Sequence, residues 1–208
     1  MDDEMGSGFS TYDPLENRQS IYCYKGTDIL INKENIRDAK ALAEYEADIT
    51  MIRQYELENE QTVKGKFGIT HLLRIHKYIF QDVYPFAGKL RREFIAKGST
   101  PFCDSPFIEE NLQFLFRKLN KENHLRDLST EEFSKRAAYY MSELNMIHPF
   151  REGNGRSIRE FIRQLAFERG YIINWSLITS EVLLEAMITA VKSIEPLISC
   201  IFQSIENK

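Results

Sequence analysis

The stretch His148-Pro149-Phe150-Arg151-Glu152-Gly153-Asn154-Gly155-Arg156-Ser157-Ile158-Arg159 brings a base, a carboxylate, a glycine-flanked amide and two arginines into one turn and the start of a helix. His148 closes the apolar run Leu144 to Ile147, so it is expected at the end of a buried helix, where a neutral imidazole accepts a proton near pH 7. It is the candidate base. Glu152 is the candidate metal ligand, because a hard carboxylate beside phosphates suits Mg²⁺, an ion that keeps much of its water. Gly153 and Gly155 lack a Cβ, so the backbone around Asn154 can turn with positive φ and approach a ligand. The helix that follows opens with unpaired N–H groups, and such a nest holds anions. Arg156 and Arg159 lie three apart on one helix face and can fork onto successive phosphates. Phe150 is expected to pack the loop onto the core. Taken singly, each feature has an ordinary reading as a core histidine, a turn or a solvated face. Together they describe a nucleoside triphosphate pocket with a base at its mouth.

Working outward, the flanking segments read as helices. Ser129-Thr130-Glu131-Glu132 is a capping box with Leu128 and Phe133 as a hydrophobic staple, and Phe133, Ala137, Tyr140, Met141 and Leu144 mark one apolar face. That helix delivers His148. Beyond the motif, Ile158, Phe161, Ile162, Leu165 and Ala166 repeat at helical spacing until Gly170. From Ile36 to about Asn59 the spacing of Leu42, Tyr45, Ile49 and Ile52 predicts an amphipathic helix, and Ile69 to about Tyr84 reads similarly. Glu181 to Ala190 and Ile194 to Ile205 add two more. Between Leu90 and Phe102 two short extended pieces joined at Lys97-Gly98-Ser99 predict a hairpin, expected to be the only sheet. The fold class is therefore all-α: a helical bundle with a small β-hairpin at its edge.

Composition excludes several classes. With 43% apolar and 28% charged residues the balance is that of a globular chain, read as a flexible tail over 1–12 and a single domain over 13–208. Cys23, Cys103 and Cys200 are odd in number and widely spaced, which argues against a disulfide framework or a zinc site and for a reducing compartment. No apolar run approaches the roughly 20 residues of a membrane span, and the N-terminus lacks the pattern of a signal peptide. A cytoplasmic location is expected, with export by a signal-peptide-independent route left open. The net charge of −4 disfavours direct nucleic-acid binding. Lys89, Arg91, Arg92 and Lys97 form a local basic patch, read as a solvated surface.

The motif matches His-x-Phe-x-Asp/Glu-Gly-Asn-Gly-Arg-x-x-Arg and so resembles the Fic family of protein AMP transferases. Tyr22-Cys23-Tyr24-Lys25-Gly26-Thr27 through Asn32-Lys33 resembles the family's N-terminal stretch, with Lys25 in place of its usual proline. His76 through Gly88 resembles the helix leading into the family's flap, here residues 90–102. The resemblance covers roughly residues 20–180. It implies transfer of AMP from ATP to a Tyr, Ser or Thr hydroxyl of a target protein, with His148 as base and Mg²⁺ on Glu152. Gly153, Asn154, Gly155, Arg156 and Arg159 would bind the phosphates. Ile95, Ala96, Lys97, Gly98, Ser99 and Thr100 would form the flap that holds the target by strand addition. It suggests bacterial type II topoisomerase subunits as targets. Many Fic proteins carry an inhibitory Ser/Thr-x-x-x-Glu-Gly/Asn helix. Glu16, Glu34, Glu58, Glu110, Glu122, Glu152 and Glu206 are each followed by Gly or Asn, yet none has Ser or Thr four positions earlier. A separate antitoxin is then expected to supply that helix, with Arg159 as its contact. The alternatives are transfer of another nucleotide or of phosphate, against which Gly155 stands where the Doc kinases have lysine, and a catalytically silent ATP-binding protein.

Overall fold

A computed structural model describes residues 19–60, 62–97 and 100–206. The expected tail over 1–12, and Gly98 and Ser99 of the hairpin, lie outside the described residues. Helix α4 (Thr130–Ile147) runs through the middle and packs against α3 (Ile108–Lys121), α5 (Asn154–Glu168) and α7 (Glu195–Ser204). Helix α2 (Ile69–Phe80) lies against α1 (Ala39–Glu60) and α5, and α6 (Ser180–Thr189) packs on α7. The periodicity of α4 explains its place. Phe133, Ala137, Tyr140, Met141 and Leu144 are buried against Ile158, Phe161, Ile162 and Leu165 of α5 in one continuous apolar cluster. Each large side chain of this kind stabilises the fold by about 1.5–3 kcal/mol.

The ends of these helices follow their sequence signals. Ser129 Oγ accepts from Glu132 N at 3.3 Å while Glu132 Oε2 accepts from Ser129 N at 3.0 Å, which completes the capping box at the start of α4. Gly170, with φ +86°, turns the chain just beyond α5. The hairpin is present, with β1 (Ala96–Lys97) antiparallel to β2 (Thr100–Pro101).

Three features depart from the expectation. The hairpin is not the only sheet, since β3 (Ile172–Ile173) pairs antiparallel with β4 (Ile205–Glu206). Two-residue strands leave no alternation to read. Helix α3 lies outside the helices anticipated from periodicity, although its signals are in the sequence. Ile108, Leu112, Leu115, Phe116 and Leu119 form its buried face, Glu109 and Glu110 occupy its first turn, and Lys118 and Lys121 its last. In α1 the buried face is Leu42, Glu46, Thr50 and Leu57, while Ile52 is exposed and Tyr45 and Ile49 are only partly buried. A glutamate and a threonine face inward here because an arginine meets them, as described next.

Candidate active site

Where α4 ends and α5 begins, the chain makes the turn that holds the motif. His148 is the C-cap of α4 and adopts a left-handed backbone, φ +48° and ψ +61°. Its Nδ1 lies 3.0 Å from Asn145 O, a carbonyl that can only accept, so Nδ1 carries the proton and Nε2 the lone pair. The ring stacks on Phe102 of the hairpin at 3.8 Å between centroids, 18° from parallel. Burial pushes its pKa down to about 3, partly offset by the Asn145 bond and reinforced by Arg91 and Lys97. The imidazole is therefore neutral throughout the physiological range.

The loop from Pro149 to Gly153 is braced from within. Asn154 Oδ1 accepts from Phe150 N at 2.9 Å and its Nδ2 donates to Phe150 O at 2.8 Å, so this side chain staples the turn. Phe150 is fully buried and stacks on His76 at 3.8 Å. Gly153 has φ +76°, and a Cβ there would fall 2.1 Å from Phe80 Cζ. The glycine is required by that ring at its back, a tighter constraint than ligand approach. Gly155 lies inside α5 without a positive φ, and its missing Cβ leaves room for Arg159 Nη1, which would stand 3.3 Å away.

Helix α5 opens at Gly153 without a side-chain cap. Ser157 N bonds Gly153 O, while the N–H groups of Asn154, Gly155 and Arg156 have no partner among the described residues. They point where an anion is stabilised by the helix dipole. Arg159 reinforces this. No ion pair holds it among the described residues, and burial together with the neighbouring Arg156 lowers its pKa to about 10. A partly buried cation without a counter-charge is costly unless a ligand supplies one.

Arg156 behaves otherwise. It pairs with Glu46 of α1, donates from Nη1 to Thr50 Oγ1 at 2.9 Å and stands 3.8 Å from Glu152. Burial works against its charge, but Glu46 and Glu152 raise its pKa above the ordinary value. Glu46 also accepts a short hydrogen bond from Tyr84 OH. The sequence places both arginines on one face, and in the structure both border the cleft, Arg156 held by Glu46 and Thr50 and Arg159 by no ion pair among the described residues. Glu152 is buried, and its Oε1 accepts from Gly153 N at 2.8 Å. Burial, then Glu46, raises its pKa, and Arg156 opposes them. A buried carboxylate beside the open N–H groups of a helix start fits Mg²⁺, which binds through one or two carboxylates plus substrate phosphates. A dication would also offset the cost of ionising Glu152 there.

These groups line one cleft of about 760 Å³. His148, Glu152, Gly153, Asn154, Gly155, Arg156 and Arg159 all border it, with Lys97, Thr100 and Phe102 of the hairpin on one side and Leu183, Leu184, Met187 and Ile188 of α6 on another. Ile95 and Ala96 are buried, Ile95 in a small cluster with Phe102, and so present backbone more than side chain. The reading of the basic patch needs correction at Arg91, which is 2% exposed and bonded to backbone carbonyls. Glu46, His76 and Arg91 are the site residues that sequence reasoning missed. Arg151, at a variable position of the motif, pairs with Glu93 at 3.0 Å, and Glu93 in turn binds Ser20 Oγ and Ile21 N.

Residues 66–166 match the Fic/DOC family, and the Fic protein of Escherichia coli (strain K12) is 38% identical over 77% of this chain and 78% of its own length. The chain belongs to the Fic/DOC family. The protein adenylyltransferase VbhT of Bartonella schoenbuchensis is 42% identical over 83% of this chain, which spans 36% of that relative's length. Among solved structures, the N-terminal Fic domain of a VirB-translocated effector from Bartonella quintana with bound ADP superposes with a TM-score of 0.83 at 30% identity, covering 90% of this chain and 95% of that one. BepC from Bartonella tribocorum with bound AMPPNP gives 0.82 at 28% identity, covering 90% and 97%. The helical bundle with its small hairpin is thus the Fic fold.

Proposed function

We propose that this chain transfers AMP from ATP to a hydroxyl side chain of a target protein. The observation that carries the reading is the pairing of a neutral, buried His148 with an open anion site in one cleft. That site is the uncapped start of α5 and Arg159, which has no ion pair among the described residues. The adenylyltransferase name of VbhT and the ADP and AMPPNP bound by the two Bartonella Fic domains support the choice of nucleotide. His148 Nε2 takes the proton of the target hydroxyl, the oxygen attacks the α-phosphorus in line, and pyrophosphate leaves. The N–H groups of Asn154, Gly155 and Arg156 hold phosphate oxygens, and Arg159 neutralises the outer phosphate. Arg156, pinned by Glu46 and Thr50, shapes the pocket floor and presents its remaining donors from a fixed position. Glu152 would hold Mg²⁺, which when bound offsets charge on the phosphate oxygens. The strands around Lys97 and Thr100 would receive the target segment by backbone pairing.

Inhibition by a small antitoxin is part of the proposal. The α6 side of the cleft carries exposed Leu184, Ile188 and Val191 next to Ala43 and Ala47 of α1, a surface suited to an apolar helix whose glutamate would reach Arg159. Type II topoisomerase subunits are the proposed targets. The deciding experiment supplies ATP labelled at the α- or the γ-phosphate to the chain, with Mg²⁺ and a bacterial lysate. Label entering protein from the α position only, dependent on His148 and lost with a chelator, is the expected result. Label from γ alone makes the chain a kinase, and label from neither position, with nucleotide still bound, makes it a silent binding protein.

A further inference from the structure

Met146 and Ile147 at the end of α4, its C-cap His148 and the following Pro149 present four consecutive carbonyls, and a helix end leaves such groups without intrahelical donors. All four are taken by the two flanks of the hairpin. Cys103 N donates to Met146 O at 3.1 Å and Arg91 N to Pro149 O at 2.9 Å. Between them, the Arg91 guanidinium donates from Nη2 to Ile147 O at 3.3 Å and from Nε to His148 O at 2.7 Å. The same guanidinium also spans the hairpin, from Nη1 to Glu93 O at 2.7 Å and from Nη2 to Cys103 O. Its charge sits at the negative end of α4. His148, meanwhile, holds a left-handed backbone, a conformation uncommon for a residue with a Cβ.

We propose that Arg91 is a positioning residue for transfer, fixing the His148 backbone and both flanks of the flap as one rigid unit. The imidazole that takes the proton and the strand that would hold the target then keep a constant relation. Phe102, which follows the same flap to the face of the His148 ring, shares in that relation. Arg91 does not border the nucleotide cleft. Its contribution therefore falls on the transfer step and not on nucleotide affinity. Lysine cannot replace it, because three donors on one nitrogen cannot reach carbonyls on both sides of a planar fork. The proposal rests on the transfer reading above.

The test uses the full chain with Arg91→Lys and Arg91→Met. ATP affinity, KM and kcat for transfer are measured beside the ¹⁵N spectrum of the His148 ring, which reads its tautomer without any target. In folded variants, ATP affinity and KM are expected to stay within about threefold while kcat falls about 100-fold, the loss that follows a misplacement near 1 Å. The single Nδ1–H form of His148 is expected to give way to mixed signals. An unchanged kcat, or a kcat loss matched by an equal loss of ATP affinity, overturns the proposal. If Arg91→Met does not fold, Arg91→Lys decides. If Arg91→Lys also collapses, the arginine serves the fold alone and the proposal fails. A wild-type chain that binds ATP and transfers nothing defeats the transfer reading instead, and the ring spectra still test the clamp.

Discussion

Two histidine–phenylalanine stacks stand on either side of the motif loop, and they are nearly the same object. His76 lies over Phe150 and His148 over Phe102, each at 3.8 Å between centroids, and burial pushes both imidazoles down to about 3. The difference lies in their nitrogens. His76 accepts from Gly88 N at Nδ1 (2.8 Å) and donates from Nε2 to Glu152 O (3.0 Å), so both ring atoms are spent on holding backbone. His148 donates from Nδ1 to Asn145 O and stands at the cleft wall. Burial thus makes both histidines neutral, and their different hydrogen-bond partners and places set the strut apart from the proposed base.

His148→Ala sharpens this contrast most. Transfer is expected to fall by about 10²- to 10⁴-fold, with ATP affinity within a few-fold of wild type, measured by labelled transfer and nucleotide titration. Transfer that survived would assign the proton to another group. Arg156→Ala carries the contrast to the two arginines of α5. It strands buried Glu46, so it is expected to cost about 3–5 kcal/mol of stability in denaturant unfolding. His76→Ala removes the stack and orphans Gly88 N and Glu152 O, and is expected to cost about 2–4 kcal/mol. Its transfer rate per nucleotide-binding molecule should drop by less than about 10-fold; a larger loss would make the strut part of the chemistry. Arg159→Met ranks below these, weakening ATP binding by about 10-fold while raising the melting midpoint, because it removes a buried cation that no anion pairs among the described residues. A falling midpoint would show that Arg159 is paired in solution.

The His148–Arg159 segment was legible because its groups belong to one turn and one helix start, where spacing alone fixes neighbourhood. Glu46 and Arg91 were not. Their roles come from contacts 110 and 57 residues away, with Arg156 and with His148 O, and nothing in local periodicity marks a glutamate as inward-facing or an arginine as buried. In α1 the apolar pattern itself misled, since Ile52 is exposed while Glu46 and Thr50 point in to meet Arg156. Gly153 was correctly read as a special position for a reason that sequence could not supply, the Phe80 ring behind it.

The remaining effect concerns acid, and it separates a buried neutral imidazole from an ordinary histidine. In the unfolded chain His148 binds its proton near 6.5, whereas in the folded protein it does so only near 3. Between those values the unfolded state holds more protons, so this residue makes stability fall as pH falls, by up to about 1.4 kcal/mol per pH unit. His148→Ala should therefore show a shallower loss of stability between pH 6 and pH 4 in urea titrations. The same shift keeps the base unprotonated in acid, so kcat/KM in the wild type should show no loss near pH 6.5 attributable to His148. An acid limb near pH 6.5 in the wild type, left unchanged when the Phe102 stack is loosened, would mean that the ring is hydrated in solution. The two stacks would then differ in burial as well as in their bonds.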